Sequence, residues 1–101
     1  MDVEADKVPV FAGVAGIARQ NRSGGLTSNQ EHFGRGVEVA PEVPIDLIAI
    51  LFDPQTSGGL LIAVDAAHEA DVAERLVRAG DGAWRIGRVS SAAGDARVRV
   101  V

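Results

Sequence analysis

Two apolar runs, residues 45–51 and residues 60–64, are separated by only eight residues, and after Phe52 the stretch between them is polar and glycine-rich: Asp53-Pro54-Gln55-Thr56-Ser57-Gly58-Gly59. Any fold this chain adopts has to place both runs and fit that connection between them. Pro44 suits the first turn of a helix, and Ile45, Leu47, Ile48, Ile50 and Leu51 are apolar nearly all round. The spacing predicts a buried helix. Asp53-Pro54 ends it, because a residue before proline avoids the helical region. Residues 60–64, Leu-Leu-Ile-Ala-Val, read as a central strand buried on both faces.

The rest of the chain is patterned around these runs. Residues 3–8 read as a short strand ended by Pro9. Phe11, Val14, Ile17 and Ala18 recur at helical spacing. Ser23-Gly24-Gly25 reads as a helix stop. Ser28 with Glu31 fits a capping box, so a short helix is expected from Ser28 to about Phe33. Residues 37–39 read as a strand. Asp65 is a suitable N-cap for a helix running to about Ala79. That helix would bury Val72, Ala73, Leu76 and Val77 and pair Asp71 with Arg75 and Glu74 with Arg78 on its solvent side. Gly80 and Gly82 close it. Residues 84–89 and 97–101 read as strands joined by a turn at residues 91–95. They are expected to form an antiparallel hairpin, with Val98 and Val100 on one face and Arg97 and Arg99 on the other. Residues 60–89 would form a right-handed strand–helix–strand crossover. The fold class is α+β: a two-layer mixed β-sheet with helices packed on one face. The 101 residues suit one domain.

Composition removes several function classes. The net charge is -4 and Lys7 is the only lysine, so no basic stripe exists to displace counterions, and nucleic acid is not an expected partner. No cysteine is present, which excludes disulfides, thiolate nucleophiles and zinc-thiolate sites. No apolar run approaches the roughly 20 residues a membrane span requires. The acidic start lacks the pattern of a secretory signal, and the cytoplasm is the expected location. Only four aromatic residues occur, Phe11, Phe33, Phe52 and Trp84, so the core rests on Val, Ile, Leu and Ala.

Standard phosphate-loop, dinucleotide, zinc-protease and serine-hydrolase motifs are missing. His32 and His68 read as surface residues. Asp46 reads as a first-turn acid and Asp65 as a cap. That leaves Asp53 as a carboxylate beside an unusual loop, which is thin support for magnesium. In that loop the hydroxyls of Thr56 and Ser57 and the amides of Gly58 and Gly59 suit an anion-binding concavity. The plainer reading is punctuation: helix end, turn and strand start. Local chemistry leaves both open. Ser23-Gly24-Gly25-Leu26-Thr27-Ser28-Asn29 is a second polar, glycine-bearing segment, explained more simply as a stop followed by a cap.

The nine residues from Asp53 through Gly58-Gly59-Leu60-Leu61 resemble the signature near the C-terminus of selenophosphate synthetases (selenide, water dikinases). Ser23-Gly24-Gly25 with Asn29, then His32-Phe33-Gly34, is similar to the family's Pro-Gly-Gly-Thr, Asn and Tyr-Gly pattern. Ile86-Gly87-Arg88-Val89 resembles its terminal Ile-Gly-Glu-Val strand. The family is part of the aminoimidazole-ribonucleotide-synthetase-like group. The resemblance implies a truncated C-terminal domain of an enzyme that converts ATP, selenide and water to selenophosphate, AMP and phosphate. It also implies that the reactive Cys or selenocysteine, its neighbouring Lys and the main magnesium-binding aspartates lie in an N-terminal half. No catalytic or metal-binding residue is therefore expected here. ATP and magnesium would serve the complete enzyme, and the partner would be the N-terminal half, with a homo-oligomer also open. Asp53, Gln55, Thr56, Ser57, Gly58 and Gly59 are carried over as cleft-lining or ligand-contact positions, with Gly24, Gly25 and Asn29 as weaker ones. Leu26 stands where the pattern has threonine and Ser23 where it has proline. The competing expectation is a non-catalytic remnant, or a small anion-binding or interaction module.

Overall fold

In the computed structural model, the described residues are 1–18, 20–21, 23–91 and 97–101. They form a mixed four-stranded sheet with helices, in the expected α+β class. The strands are β1 (Asp2–Val3), β2 (Val37–Val39), β3 (Gly87–Arg88) and β4 (Val98–Val100), in the order β2-β4-β1-β3. β4 runs parallel to both β2 and β1, with Val100 opposite Val39 on one side and Val3 on the other. β3 runs antiparallel to β1, with Gly87 opposite Val3.

The helices are α1 (Val14–Ala18), α2 (Gly24–Phe33), α3 (Ile45–Phe52) and α4 (Glu69–Arg78). The core forms where α3 meets the sheet. Ala5, Val43 and Val100 are buried, and Val37, Val39, Ala40, Leu47, Ile48 and Val98 pack against them. Along β4 the alternation is as the sequence reads: Val98 and Val100 face inward, while Arg97 and Arg99 are exposed. Arg99 Nε reaches Asp2 Oδ1 on the neighbouring strand at 3.2 Å. On α4, Arg75 pairs with Asp71 and Arg78 with Glu74, again as the spacing predicts.

Several expectations change. The N-terminal strand covers only Asp2–Val3, and Ala5–Lys7 turn as a 3-10 helix. The expected hairpin is replaced by insertion: β1 lies between β3 and β4 and pairs with both. A strand from the other end of the sequence wins because it can pair through both edges at once, which a turn signal cannot reveal. Most of the expected turn, residues 92–95, lies outside the described residues.

Residues 60–64 are not a strand, and no crossover is built from them. Leu60 is 90% exposed, Leu61 63% and Ile62 53%. A strand buried on both faces needs neighbours on both edges and layers above and below. The four-stranded sheet offers this run no pairing, so its apolar content alone does not make it a strand. α3 matches its predicted position but is only partly covered: Ala49 is its buried residue, while Ile45 and Leu51 are exposed. On α4, Val72, Ala73 and Leu76 are half-buried and Val77 is exposed.

Helix boundaries also shift. α4 starts at Glu69 with His68 as N-cap, and Asp65 instead closes the preceding turn by accepting the Ala67 amide at 2.8 Å. The C-terminus of α4 behaves as expected. Gly80 takes φ +90°, its amide donates to Val77 O at 3.1 Å, and the Asp81 amide donates to Leu76 O at 3.0 Å. This is the paired hydrogen-bond pattern of a Schellman stop.

Candidate functional site

The segment 23–29 proves to be a helix start rather than a stop. α2 begins at Gly24, with Ser23 in the extended N-cap position, and Ser28 lies inside the helix. Two glycines in a first turn are poor helix formers. Here packing of α2 on α3 overrides propensity, with Leu26 buried to 2% exposure and Ala49 to 3%. The leucine that stands in place of the pattern's threonine therefore serves packing.

α3 ends at Phe52, and Asp53 turns the chain into an extended conformation at φ -66°, ψ 129°. The final carbonyls of a helix have no partner within it. Asn29 supplies one, its Nδ2 donating to Phe52 O at 2.9 Å. One residue on, the Ser23 hydroxyl donates to Asp53 Oδ1 at 3.0 Å. One residue further, the Pro54 ring lies so close to Gly25 that a methyl group added there would meet Pro54 Cγ at 2.6 Å. Consecutive residues 52, 53 and 54 are thus held by positions 29, 23 and 25. The two polar, glycine-bearing segments singled out from the sequence meet in space.

The carried-over residues divide by burial. Asp53, Gly25 and Asn29 are half-buried at this junction. Gln55, Thr56, Ser57, Gly58, Gly59 and Gly24 are exposed. Gln55 leans toward Gly58, where an added Cβ would stand 3.3 Å from its Oε1. Neither Gly58 nor Gly59 has positive φ; Gly13 and Gly80 are the described glycines that do. Thr56 to Gly59 therefore form an open polar loop on a fixed base. Beside it along α2, Ser28, Asn29, Glu31, His32 and Phe33 line a shallow depression. The His32 and Phe33 rings meet edge to face at 4.7 Å. His32 and His68 are both exposed, as expected.

Ser23 and Pro54 are the residues that sequence reasoning missed. Ser23 is separated from Asp53 by thirty positions, and neither residue signals its partner locally. Ser23 is the N-cap residue of α2 but makes no side-chain cap bond; its hydroxyl is turned to Asp53 instead. Asp53 thereby brings a carboxylate to the positive end of the α2 dipole, a favourable placement.

Among the described residues no group of three or more His, Cys, Asp or Glu side chains converges, and Asp53 is already an acceptor for Ser23. Away from this junction, the Glu4 carboxyl is held below its usual range, first by its hydrogen bond from Lys7, with partial burial opposing and attraction to Lys7, Arg85 and Arg88 adding. Among the described residues no helix is long and apolar enough to cross a membrane.

No protein-family model matches the chain. Individual proteins do. A selenide, water dikinase of Agathobacter rectalis is 34% identical over 87 residues, covering 85% of this chain and 25% of that protein. One from Nitratidesulfovibrio vulgaris strain DP4 is 38% identical over 89 residues, covering 86% and 25%. One from Bordetella bronchiseptica is 42% identical over 80 residues, covering 78% and 22%. The chain belongs to the selenide, water dikinase family. It spans about a quarter of the length of these relatives. The junction of Ser23, Gly25 and Asn29 with residues 52–54 is therefore a feature of a dikinase-related segment.

Proposed function

We propose that this chain is a C-terminal portion of a selenophosphate synthetase and that its Thr56–Gly59 loop lines the cleft facing an N-terminal half. The observation that carries this reading is the convergence at Asp53. The signature loop is anchored at its base to α2 and left exposed beyond it, the arrangement expected of a loop presented to another domain. The complete enzyme would convert ATP, selenide and water to selenophosphate, AMP and phosphate in the cytoplasm. ATP and magnesium would be held chiefly by the N-terminal half, as the family resemblance implies. The role of residues 53–59 is then to shape and polarise one wall of the cleft through hydroxyls and backbone amides, without bond-making steps of their own.

Reconstitution tests this. The isolated chain is mixed with an N-terminal half of a selenide, water dikinase, and selenide-dependent AMP formation is followed. The expected result is no turnover by the chain alone, turnover by the pair, and impaired turnover with the Thr56→Ala/Ser57→Ala double variant. Selenide-dependent AMP formation by the chain alone would overturn the division of labour. Normal turnover by the double variant would remove the cleft role. A pair that never associates would favour a free-standing interaction module.

A further inference from the structure

We infer that Ser23 and Asn29 are positioning residues, forming a two-point latch that fixes the base of the 53–59 loop to α2. Asn29 holds the last carbonyl of α3 at 2.9 Å, and Ser23 holds the side chain of the next residue at 3.0 Å. The Pro54 ring against Gly25 continues the same line. Three successive anchor points, two polar and one steric, set both the position and the direction in which the chain leaves α3. Gln55 to Gly59, which are exposed and whose glycines are not held in a left-handed conformation, take their placement from that base.

The two bonds differ in kind. The Asn29 bond satisfies a backbone carbonyl that the helix itself leaves without a partner, so it secures the end of α3. The Ser23 bond joins two side chains and satisfies no backbone need. Its consequence is to orient Asp53 and bring its charge to the α2 N-terminus. The Ser23 contact is thus a second fastening beside the Asn29 one.

The latch concerns loop order in the chain itself, and rests on the cleft reading only for its consequence in catalysis. The experiment is backbone 15N relaxation on the 101-residue chain, comparing wild type with Ser23→Ala, Ser23→Thr and Asn29→Asp. Asn29→Asp keeps the shape and removes the donor. Order parameters at residues 55–59 are expected to fall from the rigid range near 0.85 toward about 0.6 in Ser23→Ala and Asn29→Asp. Ser23→Thr, which keeps the hydroxyl, should restore the wild-type values, and α4 should be unchanged throughout. Because Ser23 is exposed, the Ala and Thr pair decides the matter even if Asn29→Asp does not fold. Equal order in Ser23→Ala and wild type, or Ser23→Thr as loose as Ser23→Ala, would overturn the latch. The same variants in the reconstituted pair separate the two ideas. A loosened loop with unchanged KM and kcat keeps the latch and removes the cleft role; an unchanged loop with impaired activity does the reverse.

Discussion

Ser23 and Asp53 are joined by a 3.0 Å hydrogen bond from hydroxyl to carboxylate, across thirty positions of sequence. With Asn29 on Phe52 and Gly25 under Pro54, it joins the start of α2 and the end of α3 into one structural unit.

The steric part of that unit is testable by itself. A methyl group at position 25 would stand 2.6 Å from Pro54 Cγ, whereas one at position 24 would meet nothing within 4 Å. The proline ring has little freedom to move aside. Gly25→Ala is expected to destabilise the chain by about 1–3 kcal/mol, the range for forced overpacking. Gly24→Ala should be neutral or slightly stabilising, because alanine is the better helix former. Urea unfolding of both variants measures the difference; equal midpoints would show that Pro54 yields freely.

How much of this was legible in the sequence follows the range of the interaction. α3 was readable because its apolar content and its stop at Asp53-Pro54 are local. So was the glycine stop of α4, together with its ion pairs. The loop itself was legible from its composition and its resemblance, but its attachment was not. Ser23-Gly24-Gly25 reads as a stop by propensity and becomes a start because α2 packs on α3. The sheet order was hidden for the same reason: β1 is two residues long and is defined by its neighbours. Residues 60–64 failed in the opposite direction. Their composition calls for burial, and the described part of the chain provides none.

The insertion of β1 predicts an intolerant position at its antiparallel partner. A Cβ at Gly87 would lie 2.0 Å from the Asp2 carbonyl oxygen, a backbone atom that moves only if the strand pair opens. Gly87→Ala is expected to cost at least about 1–3 kcal/mol and to loosen β1 from β3. Hydrogen exchange reads this directly at the Glu4 amide, which donates to Ile86 O at 2.7 Å. An unchanged exchange rate there would contradict the pairing.

Gly80 gives a smaller, independent effect. At φ +90° a side chain is strained wherever it points. Gly80→Ala should lower stability by about 1–2 kcal/mol, while a substitution at an exposed site such as Ser57 should stay within about 0.5 kcal/mol. Thermal unfolding of the two variants side by side is the measurement.

The Glu4–Lys7 pair fixes a pH dependence whose sign is determined. The folded pKa of Glu4 lies below its ordinary value of 4.5, with the Lys7 hydrogen bond as the leading cause. Its contribution is therefore present above pH 4.5 and disappears as pH falls through the lowered folded value. Lys7→Ala should move the Glu4 titration upward. The side-chain carboxyl resonance followed by NMR reports it, and an unmoved titration would reassign the cause to Arg85 and Arg88.

The final prediction concerns the uncovered apolar surface. Among the described residues the buried apolar ones are few: Val3, Ala5, Leu26, Val43, Ala49 and Val100. Against them stand Leu60 at 90% exposure, Leu61 at 63%, Trp84 at 62% and Val77 at 61%. Scattered apolar residues on a surface are ordinary, but a run of adjacent ones favours association. Residues 60–62 are such a run, exposed and outside the sheet. The isolated chain is expected to bind an apolar-surface dye and to self-associate as concentration rises. Leu60→Lys with Leu61→Lys should reduce both effects without loss of helix content, because neither side chain belongs to the core. Sedimentation velocity together with dye fluorescence checks this. A wild-type monomer with no dye signal would show that the exposed run finds cover in solution. Persistent association in the double variant would shift the contact to Trp84 and Val77.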